Sequence, residues 1–150
     1  KIESKRTLVN GDVDSVTVHL AYMNDQLFGA AVETFTDKAF SGKFTIMVGF
    51  DAEGVVLGTD VLEHSETPGL GDKINKKKDE NFSPQFVGMN PAEKPLKVVQ
   101  DGGDVVAITA ATISSRAFCD AVERAHKAFS TLKAVNADNQ QTCEKEVVNE

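Results

Sequence analysis

Apolar and polar positions alternate most cleanly over Lys43 to Phe50, where Phe44, Ile46, Val48 and Phe50 fall on one face of an extended chain. Asp51-Ala-Glu-Gly54 interrupts the pattern and Val55 to Leu62 resumes it, which predicts two antiparallel strands with one buried face, joined by a four-residue loop. Upstream, the apolar and β-branched stretch from Leu27 to Phe35 predicts another strand. The first 22 residues alternate only in places, at Val13, Val16, Val18 and Leu20, around an Asn10-Gly11 turn signal. They read either as a short edge strand or as a loose lead-in.

Glu66-Thr-Pro-Gly-Leu-Gly-Asp72 cannot continue a strand, because Pro68 lacks a donor and two glycines open backbone conformations closed to other residues. It reads as a shaped loop. From 73 to 95, Pro84, Pro91 and Pro95 punctuate short helical pieces, and then Leu96 to Gln100 and Val105 to Ile108 read as strands around an Asp101-Gly-Gly103 turn. Phe118, Val122, Ala125 and Phe129 recur at spacings of three and four, flanked by Ala117, Ala121 and Ala128, which predicts an amphipathic helix. Ser114 and Ser115 stand where its cap is expected and Lys127 and Lys133 near its far end, with a polar, mobile tail from Ala137 to Glu150. The expected architecture is a single α+β domain: a mainly antiparallel sheet with a long C-terminal amphipathic helix and short helices packed on it.

Composition narrows the function classes. At 150 residues and 41% hydrophobic, the chain can bury one real core. A net charge of −7 with thinly spread basic residues offers nothing to a nucleic-acid backbone or an anionic membrane surface. The one basic run, Lys76-Lys77-Lys78, is followed at once by Asp79 and Glu80 and reads as a solvated face. No apolar run approaches the roughly 18 residues of a membrane span and nothing at the start resembles a signal peptide, so the chain reads as soluble. It opens at Lys1 without a methionine, as a processed or trimmed form would, with any N-terminal anchor lying upstream. Two cysteines, Cys119 and Cys143, leave room for one bridge at most, and His19, His64 and His126 match no metal spacing and read as surface or boundary residues. Neither a metal site nor a catalytic residue is expected.

The chemistry concentrates in Val105-Val-Ala-Ile-Thr-Ala-Ala-Thr-Ile-Ser-Ser115, which runs from strand into helix through small residues and hydroxyls. Such a junction presents free backbone N–H groups and a positive dipole end, the makings of an anion site. Ala110 and Ala111 would let a phosphate approach the backbone, and Thr109, Thr112, Ser114 and Ser115 could add donors. Helix starts are also rich in Ser and Thr merely to cap the helix, so on physics alone both readings stand.

The order Thr109-Ala-Ala-Thr-Ile-Ser-Ser115 resembles the Ser/Thr-Gly-Ala-Thr-x-Thr/Ser motif of the FMN-binding domain family, found in G subunits of Rnf complexes and C subunits of sodium-pumping NADH:quinone reductases. His64-Ser-Glu-Thr-Pro-Gly-Leu-Gly71 resembles that family's loop against the flavin ring, and the likeness runs from about Gly42 to Phe129, closer to the Rnf side. It implies FMN joined covalently to Thr112 by a phosphoester, with Thr109, Ala110, Ala111, Ile113, Ser114 and Ser115 around the phosphate. It further implies Glu66 and Thr67 at polar edges of the ring and Leu70 on its face, with Gly69 and Gly71 permitting close approach.

The implied function is that of an electron-carrier subunit in an ion-translocating oxidoreductase complex, on the periplasmic face of the inner membrane. Its partners would be the other subunits and a flavin-attaching transferase. Two alternatives stay open: the flavin domain of a secreted reductase, and a sensory or binding module that has lost covalent flavin. A domain on the oxidising side of a membrane would also favour a Cys119–Cys143 disulfide. With no Trp and only Tyr22, aliphatic packing on the ring is expected, while Phe82 and Phe86 either close over the cofactor or pack in the core. Glu66 has no companion nucleophile or carboxylate that would make it a general acid or base.

Two positions depart from the family pattern: Ala110 stands where Gly is usual, and Val106 where Asp is frequent. An alanine there costs only a methyl group if its φ is negative, whereas Gly reaches positive φ that Ala resists.

Overall fold

In the computed structural model, five strands form one antiparallel sheet in sequence order: β1 (Ile2–Thr7), β2 (Val16–Met23), β3 (Gln26–Thr36), β4 (Phe44–Asp51) and β5 (Val56–Glu63). The structure describes residues 2–7, 16–66, 71–75 and 81–149, with the backbone alone at 2–7 and 134–149. Short 3-10 turns follow at Gly71–Ile74, Ser83–Phe86 and Val99–Asp101, and helix α1 (Thr112–Asn149) closes the chain. The α+β expectation holds.

Local chemistry explains the hairpins. Asn24 and Asp25, the two residues between β2 and β3, both take positive φ (53° and 64°), the conformation that matches strand twist in a two-residue turn. Between β4 and β5, Asp51 Oδ1 accepts from Glu53 N (2.9 Å) and Val55 N (3.0 Å), and Gly54 completes the loop at φ 90°. The early alternation belongs to β2, whose Val16, Val18 and Leu20 are buried.

The core lies between one sheet face and α1. Phe44, Ile46, Val48 and Phe50 on β4 are each at most 1% exposed, and they meet the helix stripe of Ala117, Phe118, Ala121, Val122, Ala125 and Phe129, equally buried. Thr34 on β3 sits in this apolar layer because its hydroxyl donates to Ala121 O at 3.1 Å, leaving no polar atom unpaired. Phe82 and Phe86 pack ring to ring with Phe118, at centroid distances of 5.3 and 4.9 Å. Of the two roles open to them, the core is the one observed.

Several expectations need correction. Leu96 to Gln100 and Val105 to Ile108 do not form strands: they meet in a single bridge, Val98 to Val105, around the 3-10 turn. A Cβ on Gly103 would lie 2.0 Å from Lys97 O, so the connection folds too tightly for a ladder. Helix α1 starts at Thr112, which puts Ser114 and Ser115 inside its first turn, and it continues through Asn149, so Lys127 and Lys133 lie mid-helix and the expected tail from Ala137 is helical. His126, read as a surface or boundary residue, lies deeper than that: it is 9% exposed, edge-on to Phe50 at 5.6 Å, with its ring against Gly54.

The helix does not bring Cys119 and Cys143 together. Both residues sit on one continuous helix, so about 36 Å separates them at roughly 1.5 Å per residue, whereas a bridge requires Cα atoms within about 7 Å. Cys119 is a free, buried thiol whose pKa is pushed up to about 12, first by burial and then by the nearby charge of Glu123. In a Cys143→Ser background, Cys119 should therefore resist iodoacetamide at pH 8 while the protein is folded and react at once in denaturant; intact mass reads the difference.

Burial lowers the pKa of His126 below its ordinary 6.5. The folded state prefers the neutral ring and the unfolded chain binds the extra proton, so this contribution to stability is complete above about pH 6.5 and declines as pH falls towards the folded value. Urea midpoints measured between pH 7.5 and 5 should drop less steeply in His126→Gln than in the native protein.

Candidate functional site

Ile108, Thr109, Ala110 and Ala111 form a tight turn closed by Ala111 N donating to Ile108 O at 3.0 Å. Its third residue, Ala110, takes φ 62°, a value that favours Gly. The turn feeds straight into α1: Ser115 N donates to Ala111 O at 3.0 Å, the first bond of the helix, which makes Ala111 its N-cap. Alanine has no side-chain acceptor to offer there. The amides of Thr112, Ile113 and Ser114 thus have no intrahelical acceptor and no cap, at the positive end of a 38-residue helix. The serines that could have capped it are otherwise employed. Ser115 Oγ accepts from Ile108 N (2.9 Å) and donates to Ala111 O (2.9 Å), locking the turn onto the helix.

Ser114 joins a second set of contacts centred on Glu66, which is 6% exposed. The Ser114 hydroxyl donates to Glu66 Oε1, Ser41 N donates to Glu66 Oε2 at 3.0 Å, and Phe40 N donates to Ser114 Oγ at 3.4 Å. One carboxylate therefore ties the β3–β4 connection, the segment after β5 and the first turn of α1 together. His64 Nδ1 accepts from Glu66 N at 3.0 Å and shapes the approach. Gly71 leaves room for the carboxylate, since a Cβ there would come within 3.0 Å of Glu66 Oε1.

These segments enclose a cleft of about 380 Å³ lined by Phe40, Glu66, Gly71, Ala110, Ala111, Thr112, Ile113 and Ser114. That volume lies within the range of small-molecule and cofactor sites, about 300–1,000 Å³. Its walls are apolar apart from Glu66, Ser114 and the Thr112 hydroxyl, which no hydrogen bond engages among the described residues. The arrangement suits a ligand with an anionic end and an apolar body.

Of the residues singled out from sequence, Glu66, Gly71 and Ala110 to Ser114 converge on this cleft. Thr109 lies on the other side of the turn, lining a second cleft with Lys73, Gln85 and Val106, and Ser115 is buried beneath the helix start. Thr67, Gly69, Leu70 and the lysine run at 76 to 78 lie outside the described residues. Val106 is exposed, and its backbone, not its side chain, is held: its N–H donates to Gln85 Oε1 (2.8 Å) and its carbonyl accepts from Gln85 Nε2 (2.9 Å). Sequence reasoning missed Phe40 and Ser41. The signal available was an aromatic set in a Ser-Gly turn just ahead of a strand, where an apolar ring has no core to enter.

Among the described residues no helix is long and apolar enough to cross a membrane, and no group of three His, Cys, Asp or Glu could hold a metal ion. The left-handed Ala110 gives a direct test of the turn. Replacing it by Gly relieves about 1–2 kcal/mol of strain against about 0.4–1 kcal/mol of added unfolded-chain entropy. Ala110→Gly should raise the unfolding free energy by about 0.5–1 kcal/mol in urea titrations, the reverse of an ordinary Ala-to-Gly change.

Comparison with known proteins bears on this geometry. The sequence profile of the FMN-binding domain matches residues 40–127, a span that opens at Phe40 and contains the whole cleft. The chain is 40% identical over 118 residues to the G subunit of the ion-translocating oxidoreductase complex of Aliivibrio fischeri, covering 77% of this chain and 56% of that protein. It is 40% identical over 121 residues to the G subunit of the same complex in Escherichia coli, covering 78% of this chain and 58% of the relative. The corresponding G subunit of Shewanella oneidensis is 34% identical over 146 residues, 95% of this chain and 68% of that protein. The chain thus spans little more than half the length of the first two relatives.

Proposed function

This chain belongs to the FMN-binding domain family, and from that membership we propose that it carries FMN, esterified through its phosphate to Thr112, as an electron-carrier subunit of an ion-translocating oxidoreductase complex. The observation that carries the reading is the uncapped start of α1: three open amides and the Thr112 hydroxyl at one end of an apolar cleft. A phosphate there would satisfy donors left without an acceptor among the described residues and meet the positive end of the helix.

In this reading Thr112 is the tether, and the amides of Thr112, Ile113 and Ser114 hold the phosphate oxygens. Ala110 and Ala111 keep the approach clear of side chains, and Thr109 and Ser115 hold the turn from its far side. Glu66 fixes the cleft by bracing Ser114 and Ser41 and, with Thr67, borders the polar edges of the ring; Leu70 packs on the ring, with Gly69 and Gly71 leaving space. FMN supplies one- and two-electron chemistry, and the protein's part is to hold it, shape its surroundings and limit water. An ester bond removes dissociation, which suits a carrier on the periplasmic face of the inner membrane, where lost FMN could not be replaced. The other subunits of the complex and a flavin-attaching transferase are its partners.

A second reading, a binding or sensory module without covalent flavin, is favoured by one observation: Ala110 holds a positive φ at a position where the family's usual Gly would be relaxed. Intact mass separates the two. Protein produced together with a flavin-attaching enzyme should gain the mass of one FMN less one water, remain yellow after denaturation, and lose both properties in Thr112→Ala. An unchanged mass in the native sequence would reject the covalent reading and leave the second.

A further inference from the structure

Aliphatic packing against the ring is what a chain without Trp and with one Tyr suggests, yet the cleft has an aromatic wall. Phe40 is 73% exposed, the most exposed large apolar residue among those described, and it lines the cleft. The exposed Met23, Phe28 and Leu57 instead lie on strands and line none of these clefts. The placement of Phe40 is held on both sides. Ala39 before it is buried and its carbonyl accepts from Gly42 N at 3.2 Å. The Phe40 amide is tied to Ser114 Oγ and the Ser41 amide to Glu66 Oε2. The backbone that presents the ring is thus fixed to the first turn of α1, beside Thr112, and the ring is not a loose side chain on a free loop.

Leaving a phenyl ring in water forfeits its burial, and nothing in the fold requires a Phe at a position with no core contact. What it does supply is a flat, polarisable face at the rim of a cleft whose other apolar walls, Ala110, Ala111 and Ile113, are aliphatic. Flat conjugated ligands favour offset or edge contact with such a face over aliphatic contact of equal area. Resting on the FMN reading above, we propose that Phe40 supplies an aromatic contact to the isoalloxazine ring in addition to the Leu70 contact of that reading, and that it sets the orientation of the flavin over the cleft while Thr112 sets only its attachment.

The absence of native Trp makes the test clean, because Phe40→Trp introduces the sole indole. An indole in contact with an excited flavin donates an electron to it and quenches its emission. Flavin-loaded Phe40→Trp, matched to the native protein by intact mass, should show emission reduced several-fold. A control, Val99→Trp, on the exposed 3-10 turn Val99–Asp101, should show native emission. Phe40→Ala should lose most of the visible circular dichroism that a fixed ring orientation induces, while keeping its covalent FMN mass; if Phe40→Ala does not fold or load, Phe40→Leu takes its place with the same expectation.

Native emission in loaded Phe40→Trp, or unchanged visible dichroism in the loaded Ala or Leu variant, overturns the role of Phe40 and leaves the attachment at Thr112 standing. A native chain that gains no flavin mass overturns the FMN reading itself, and this inference with it.

Discussion

The domain depends on the contact between the small-residue stripe of α1 and the inner face of the sheet. Ala117, Ala121, Ala125 and Ala128 bring the helix close to β3 and β4, and Thr34 donates into the helix backbone at Ala121 O. Thr36 and Lys38 add hydrogen bonds to Asp120 one turn away from the start of that contact, at 3.1 and 3.2 Å. A slide of the helix by one turn would strand the Thr34 hydroxyl in an apolar layer and move Phe118 out from among Phe44, Phe82 and Phe86. The helix therefore has a fixed axial position. That position decides where its N-terminus points, and so where three amides without an intrahelical acceptor are presented.

Glu66 converts this global constraint into a local one. A carboxylate at 6% exposure must be compensated, and it is, by the Ser114 hydroxyl and the Ser41 amide. Because those donors come from different segments, the charge can be satisfied only when the β3–β4 connection, the segment after β5 and the helix start are assembled together. The cleft is consequently a product of the assembled fold, since Glu66 joins three of the segments that line it. The same residue supplies negative charge near the positive end of α1, which steadies the helix start in place of a cap.

Much of the scaffold was legible from pattern alone. The β4–β5 hairpin declared itself through period two and an Asp-x-x-Gly loop, and the helix stripe through period 3.6, since both bury one face. The strands foreseen at 96–100 and 105–108 were not, because apolar triplets flanking a Gly-Gly turn look alike whether they pair in a ladder or cross once. The helix boundary was misplaced by three to four residues for a physical reason: Ser114 and Ser115 looked like caps, and the true N-cap, Ala111, breaks the rule that identifies caps. Of the cleft, the residues contiguous in sequence were recognisable from order and type. Phe40 and Ser41 were not, because they are tied to the site through Ser114 and Glu66, and contacts spanning 74 and 25 residues leave no periodicity behind.

Three of this chain's departures from local rules meet in one place. Its longest helix begins on an alanine with no capping side chain, a non-glycine residue holds a left-handed backbone one position earlier, and a phenylalanine stands 73% exposed. Elsewhere the hairpins use the turn residues they need, the buried threonines are paired, and Phe44, Phe50, Phe82, Phe86, Phe118 and Phe129 fill the core. Scattered at random, three such departures would be defects of stability with no common cause. All three line the same 380 Å³ cleft. Departures from local consistency gather where a surface is kept for something other than folding, and each one here leaves an asset for a ligand: open amides, a close-approach turn and a flat apolar face. A ligand with an anionic group and a planar ring, such as the proposed FMN, would use all three at once.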